Sequence, residues 1–201
     1  MAEWGTEAHW ECNRNLPLRI CRLFATINQV KRILVIGHPG SGKSTLATAL
    51  SEAFALPIIH LDKEFWQPGW IKMPEDKWQE KIRTLIAQDR WIMDGTFDRN
   101  LEIRLPRADT VIFLDYSRYI CLWRIFRRII SYYGRVRPDM AEGCPEKLDF
   151  VFLNFVWNYR RDRYPMINKC LRGNHSNFNL IVLNNPSETA NFMRSLREGR
   201  R

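Results

Sequence analysis

Gly37-His38-Pro39-Gly40-Ser41-Gly42-Lys43-Ser44 fits the spacing G-x-x-x-x-G-K-[ST] at every fixed position and is followed by Thr45. Glycines at these points let the backbone curl so that successive N–H groups face inward, where they can hold phosphate oxygens. The same spacing brings Lys43 to the β- and γ-phosphates of a nucleoside triphosphate and the Ser44 hydroxyl to Mg²⁺. The expected ATP cradle is Gly37, Pro39, Gly40, Ser41, Gly42, Lys43, Ser44 and Thr45.

Other groups able to do chemistry lie where strands are expected to end. Ile58-Ile59-His60-Leu61-Asp62 reads as a strand closing on an acid, and the carboxyl ends of such strands face ligands in open α/β sheets. Asp62 is therefore a candidate base or orienting group for an acceptor hydroxyl. His60 is either a satisfied structural histidine or a ligand. Trp91-Ile92-Met93-Asp94-Gly95 and Val111-Ile112-Phe113-Leu114-Asp115 are two buried strands that each end in a carboxylate suited to Mg²⁺. Asp94 is the better placed of the two. Between them, Arg99 and Arg104 either contact an acceptor phosphate or form a solvated salt-bridging face with Asp98 and Glu102.

Arginines dominate the next segment. Arg124, Arg127 and Arg128 share one face of a predicted helix over Ser117 to Tyr133, and like charges so clustered repel unless an anion lies beside them. Between Tyr116 and Arg172, Lys+Arg outnumber Asp+Glu by 12 to 5, which supplies most of the chain's formal charge of +9. Such a balance favours anionic partners, nucleotide or nucleic acid, without choosing between them.

Elements must position these groups. The run Arg32-Ile33-Leu34-Val35-Ile36 predicts a buried strand before the glycines, and Ser44 to Phe54 a helix after them. That helix would add its N-terminal partial charge to the anion site. Phe65-Trp66-Gln67-Pro68-Gly69-Trp70 reads as a loop whose aromatics either stack on an acceptor ring or fill a minor core. Pro74 should open a helix with Trp78, Ile82, Leu85 and Ile86 on one face. In the Ser117 helix the expected inner face is Leu122, Ile125, Phe126, Ile129 and Tyr133. Residues 133–145, with glycine and proline at both ends and arginine between, have the composition of a mobile lid. Pro145 should start another helix with Leu148, Val151, Phe152, Phe155 and Tyr159 inward, ending by Gly173-Asn174. A fifth strand over Asn179 to Leu183 precedes a last helix capped by Ser187.

The 201 residues suit one α/β domain over 31–201 with an N-terminal extension over 1–30 expected to be poorly ordered. Cys12, Cys21, Cys121, Cys144 and Cys170 are odd in number and lack a C-x-x-C pair, which argues against a disulfide framework or a zinc site. No leader or bilayer-length apolar run is evident, so a cytoplasmic protein is expected.

From Lys31 to about Leu196 the chain resembles the small adenylate-kinase-like P-loop kinases, and most closely the bacterial group labelled DNA topology modulation proteins. The resemblance is carried by the glycine cradle, by His60-Leu61-Asp62 with Trp66-Gln67-Pro68-Gly69-Trp70, by Trp91-Ile92-Met93-Asp94-Gly95, and most specifically by Arg137-Pro138-Asp139-Met140 through Glu142-Gly143-Cys144-Pro145-Glu146-Lys147. It implies a P-loop NTPase three-layer α/β sandwich, with a five-stranded parallel sheet in order 2-3-1-4-5 and helices on both faces. It also implies that Asp94 matches the Mg²⁺-linked acid of the Asp-Gly turn, and that Arg124 and Arg128 match phosphate-contacting arginines. The chain departs from the kinase pattern Asp-Gly-Phe-Pro-Arg, reading Asp94-Gly95-Thr96-Phe97-Asp98-Arg99, so the resemblance assigns no acceptor-phosphate arginine.

The expected function is phosphoryl transfer from ATP to a small acceptor, a nucleoside monophosphate or nucleoside among the candidates, with Lys43, Asp62, Arg124 and Arg128 as catalytic groups and Ser44 and Asp94 on the metal. The alternative is a nucleotide-dependent DNA-binding or topology-modulating protein, although no DNA-reading module is visible. A GTPase is disfavoured because Asn168-Lys169-Cys170-Leu171 lacks the acid of N-K-x-D.

Overall fold

The computed structural model describes residues 30–173 and 178–198. The expectations for the N-terminal extension, including Cys12 and Cys21, and for Asn174 lie outside these residues.

Strand β1 (Arg32–Gly37) shows how the sequence builds the layers. Its side chains alternate, so Ile33 and Val35 enter one core while Leu34 and Ile36 enter another on the opposite face. Strand β6 (Thr110–Leu114) repeats the pattern, with Ile112 and Leu114 on the first side and Val111 and Phe113 on the second. Both faces being apolar, the sheet must be covered twice. Helices α1 (Lys43–Phe54), α5 (Arg118–Tyr132) and α7 (Pro186–Glu198) cover the first face through Leu46, Leu50, Ile125 and Phe192. Helices α3 (Glu75–Ala87), α4 (Leu101–Arg104) and α6 (Phe150–Arg172) cover the second through Trp78, Ile82, Leu101 and Ile167.

With β2 (Ile58–His60), β5 (Trp91–Asp94) and β7 (Asn179–Leu183), the sheet runs β2-β5-β1-β6-β7, every neighbouring pair parallel. Counted along this sheet alone, the order is 2-3-1-4-5. The difference in detail is a separate antiparallel hairpin, β3 (Trp66–Gln67) and β4 (Ile71–Lys72), where a loop was expected. Asp62 lies not in the strand but in the first turn of a short helix, α2 (Leu61–Phe65).

Several inward faces differ from the sequence reading. On α5 the buried residues are Cys121, Ile125 and Ile129, whereas Phe126 is 51% and Tyr133 68% exposed. Phe126 belongs instead to an outward stripe with Tyr119, Trp123 and Ile130. Helix α6 starts at Phe150, where the Asp149 carboxylate accepts from the Val151 and Phe152 amides, and Leu148 and Val151 face solvent. The cap of α7 is Asn185, whose side-chain oxygen accepts from the Glu188 amide, with Pro186 opening the helix. Among the described residues, no helix is long and apolar enough to cross a membrane.

Candidate active site

The glycine loop joins β1 to α1. A Cβ on Gly37 would lie 2.4 Å from the Leu114 carbonyl oxygen of β6, so only glycine lets the two strands approach there. Thr96 pins the same residue: its Oγ1 accepts from the Gly37 amide at 3.0 Å and donates to the Gly37 carbonyl at 2.8 Å. The Tyr159 hydroxyl of α6 also donates to that carbonyl at 3.3 Å. His38 is buried, donates from Nδ1 to the Pro39 carbonyl, and packs its ring on Tyr159. Burial holds its imidazole below the usual range, which favours the neutral form. Thr96 carried no signal in sequence, and Tyr159 only that of an inward helix position, since each acts on the backbone of a distant residue.

Helix α1 begins after Gly42, a left-handed residue that makes no side-chain cap. Its first amides are thus left for a ligand, and the first turn holds no acid to repel an anion. Ser41 Oγ is buried and unpartnered beside them. Lys43 folds over the loop, its Nζ donating to the Gly37 and His38 carbonyls at 3.2 and 3.0 Å. Burial pulls this ammonium below the usual lysine value, while Asp94 and Asp62 oppose the shift. The loop, Asp62 and Asp94 therefore meet at the carboxyl edge of the sheet, as expected.

Asp94 is buried at the end of β5, directly across from His60 in the strand register. His60 donates from Nδ1 to Asp94 Oδ2 at 2.9 Å, which supplies the partner the sequence did not show. That bond raises the imidazole pKa above its ordinary 6.5, partly opposed by burial. A group whose folded pKa is raised adds stability that is complete below 6.5 and is lost as pH rises through the folded value. The metal-free protein should therefore lose stability as pH rises above about 6.5, and His60→Gln should flatten that part of the profile. An unchanged profile in the variant would exclude this pair as its source.

Asp115 is not available to a metal. It accepts from the Tyr164 hydroxyl and pairs with Arg160 at 3.6 Å. Ser44 and Asp94 offer hard oxygens suited to Mg²⁺, and the described residues contain no cluster of three His, Cys, Asp or Glu that could cage a metal. An ion here would be held by two protein oxygens, with nucleotide phosphates completing its shell.

Asp62 is half-buried, and among the described residues no hydrogen bond or ion pair holds its carboxylate. Burial raises its pKa, Asp94 adds to the rise, and Lys43 and Arg137 oppose it.

The arginines divide by role. Arg124 reaches the cradle, its Nη1 donating to the Ser41 carbonyl at 2.7 Å and its guanidinium lying over Tyr116. Arg128 is bound instead by Glu146 at 2.9 Å. The other Glu146 oxygen forms an ion pair with Arg137 at 2.8 Å, and Arg137 also grips Asp139. Arg127 is exposed and, with Arg124, Arg128, Ser131 and Tyr132, lines a shallow hollow of about 220 Å³. Arg104 is fully buried and donates to the carbonyls of Gly95, Thr96, Phe97 and Asn100, so it is neither a phosphate ligand nor part of a solvated face. Arg99 is exposed.

The expected lid is a loop closed at its neck, where the Gly134 amide donates to the Glu146 carbonyl and the Glu146 amide to that of Arg135. It is docked on the β3–β4 hairpin. The Gly69 amide donates to the Gly143 carbonyl at 2.9 Å, and Trp70 Nε1 to Pro145 at 3.1 Å. Trp66 and Trp70 pack on Met140, Ala141 and Cys144, so these aromatics fill a minor core. A Cβ on Gly143 would lie 2.8 Å from Pro68 Cβ.

No protein-family model and no curated protein matches the sequence. Among solved structures, the fold is similar to shikimate kinase from Acinetobacter baumannii in complex with shikimate, with TM-score 0.52, 12% identity and coverage of 87% of this chain and 95% of that one. A gluconokinase from Sinorhizobium meliloti 1021 superposes with TM-score 0.49 at 18% identity, covering 84% of this chain and 90% of that one. Deoxyadenosine kinase from M. mycoides with bound dCTP gives 0.47 at 15% identity, covering 83% and 99%. The first of these likenesses shows the fold; the other two superpose less closely.

Proposed function

We propose that this protein transfers a phosphoryl group from ATP to a small acceptor. The observation that carries this reading is the meeting of an uncapped, glycine-lined helix start and Lys43 with two carboxylates, Asp62 and Asp94, at one sheet edge. The loop amides and Lys43 would hold the β- and γ-phosphates, and the transferring group would pass toward Asp62. Arg124 already touches the loop and would offset charge on the migrating phosphoryl. Mg²⁺ held by Ser44 and Asp94 would neutralise phosphate charge. The closed lid would keep out water that otherwise hydrolyses ATP. The narrower likeness to adenylate kinases and to DNA topology modulation proteins rests on the motif residues alone.

The test is coupled ADP release across nucleosides, nucleoside monophosphates, sugars and small acids. Acceptor-dependent release supports the reading, and ADP release indifferent to every acceptor would count against it. Arg124→Ala is expected to lower kcat about 10²-fold, with a smaller change in the KM for ATP. Unchanged kinetics would reduce Arg124 to a brace of the loop.

A further inference from the structure

We propose that the acceptor is an uncharged hydroxyl compound of the sugar, polyol or nucleoside kind, which presents an O–H to Asp62 and carries no phosphate of its own. This rests on the phosphotransferase reading and specifies its second substrate.

The cations whose charge reaches Asp62 are Lys43 and Arg137, and both are already engaged elsewhere. A phosphomonoester acceptor needs free arginine or lysine on that side, because two negative groups brought together without a counter-charge repel. Of the two cations that sequence placed there, Arg104 is buried with four main-chain carbonyls around its guanidinium and Arg99 points into solvent. Arg137 is shared between Asp139 and Glu146, and Arg128 is bound by Glu146. Lys43 belongs to the donor loop.

Among the described residues no hydrogen bond or ion pair holds the Asp62 carboxylate; Asp94 and Asp139 of the docked lid add negative charge around it, which Lys43 and Arg137 oppose. Carboxylates accept from hydroxyl groups, and a half-buried one without a donor is satisfied by an alcohol and opposed by a phosphate. In the reaction the acceptor O–H gives its proton to an Asp62 oxygen, and the acceptor oxygen forms a bond to the γ-phosphorus. The bond from that phosphorus to the bridging oxygen breaks, and ADP leaves with the electron pair. An acceptor phosphate would need no such base.

The experiment uses the full chain with ATP and Mg²⁺ and offers acceptors as matched pairs: a nucleoside, a hexose and a polyol, each beside its own monophosphate. ADP release gives the rate, and ³¹P NMR identifies the product as a monoester or a phosphoanhydride. The expected result is a monoester on at least one uncharged member, with kcat/KM about tenfold or more above that of its phosphorylated mate. A phosphoanhydride on a monophosphate would overturn this inference while leaving the kinase reading intact, and would point to exposed Lys63 or Arg99 as the phosphate holder. Transfer to no member of any pair would overturn this inference, and ADP release indifferent to the small acids as well would remove the kinase reading with it. Asp62→Asn, which keeps the side-chain shape, should lower kcat on the uncharged acceptor about 10²-fold or more with ATP binding retained. An unchanged kcat in that variant would overturn the role given to Asp62.

Discussion

Lys43→Ala is expected to lower acceptor-dependent turnover about 10³-fold, a loss of about 4 kcal/mol in transition-state stabilisation. The ammonium is the one cation seated inside the loop, held by the Gly37 and His38 carbonyls and drawn toward Asp94 and Asp62. As negative charge spreads over the transferring oxygens, this group can follow it by exchanging carbonyl partners for phosphate ones. The fold should survive, because Gly37 keeps its bonds from Thr96 and Tyr159. Turnover measured beside far-UV circular dichroism and thermal melting would check both parts. A folded Lys43→Ala protein with full activity would remove the loop from the chemistry.

The second large effect concerns stability. Arg104→Met should cost about 4 kcal/mol or more, because it strips donors from four carbonyls in a site with no water access. For a chain of this size that corresponds to a fall of about 10 °C in Tm. Burial pulls the Arg104 pKa down to about 9, still above neutrality, so the group remains a cation and all its N–H groups remain donors. Arg104→Lys should fall between the two, since a single ammonium cannot span the four carbonyls that the planar fork reaches. A melting point for Arg104→Met within about 2 °C of the parent would show that the turn holds without it. Because those carbonyls follow Asp94 directly, loss of activity below the melting transition is expected as well.

The contrast between Lys43 and Arg104 shows what a linear sequence can convey. The placing of Lys43 was legible because its surroundings are local: the loop, the strand before it and the helix after it are contiguous, and their periods and glycines write the geometry out in order. Strands β1, β5, β6 and β7 were legible for the same reason. Arg104 was not, because Asp98, Arg99, Glu102 and Arg104 have the charge spacing of a solvated face. Only the folded Gly95-to-Asn100 turn shows four carbonyls converging on one guanidinium. Helix α5 carries two apolar stripes, and hydropathy alone cannot say that Ile125 goes in while Phe126 stays out. Pro145 imitated a helix start, yet Glu146 is held by Arg128 and Arg137, which keeps the chain irregular until Asp149 can cap. The position of Asp94 at a strand end was read from sequence, and that of Asp62 to within the first turn of the helix that follows its strand. Thr96 and Tyr159 were missed because a contact to the backbone of a remote residue leaves no trace in composition.

The joint between lid and hairpin bears on how two substrates influence each other. Gln67, Gly69 and Trp70 are held to residues 143–145 by hydrogen bonds, so a lid that swung to admit nucleotide would either drag the hairpin along or tear those bonds. In a phosphotransferase of the proposed kind, occupancy on one side of this joint would carry a free-energy message to the other. Thermodynamic reciprocity makes that message symmetrical: whatever factor ATP imposes on the grip for its companion substrate, the companion returns in full.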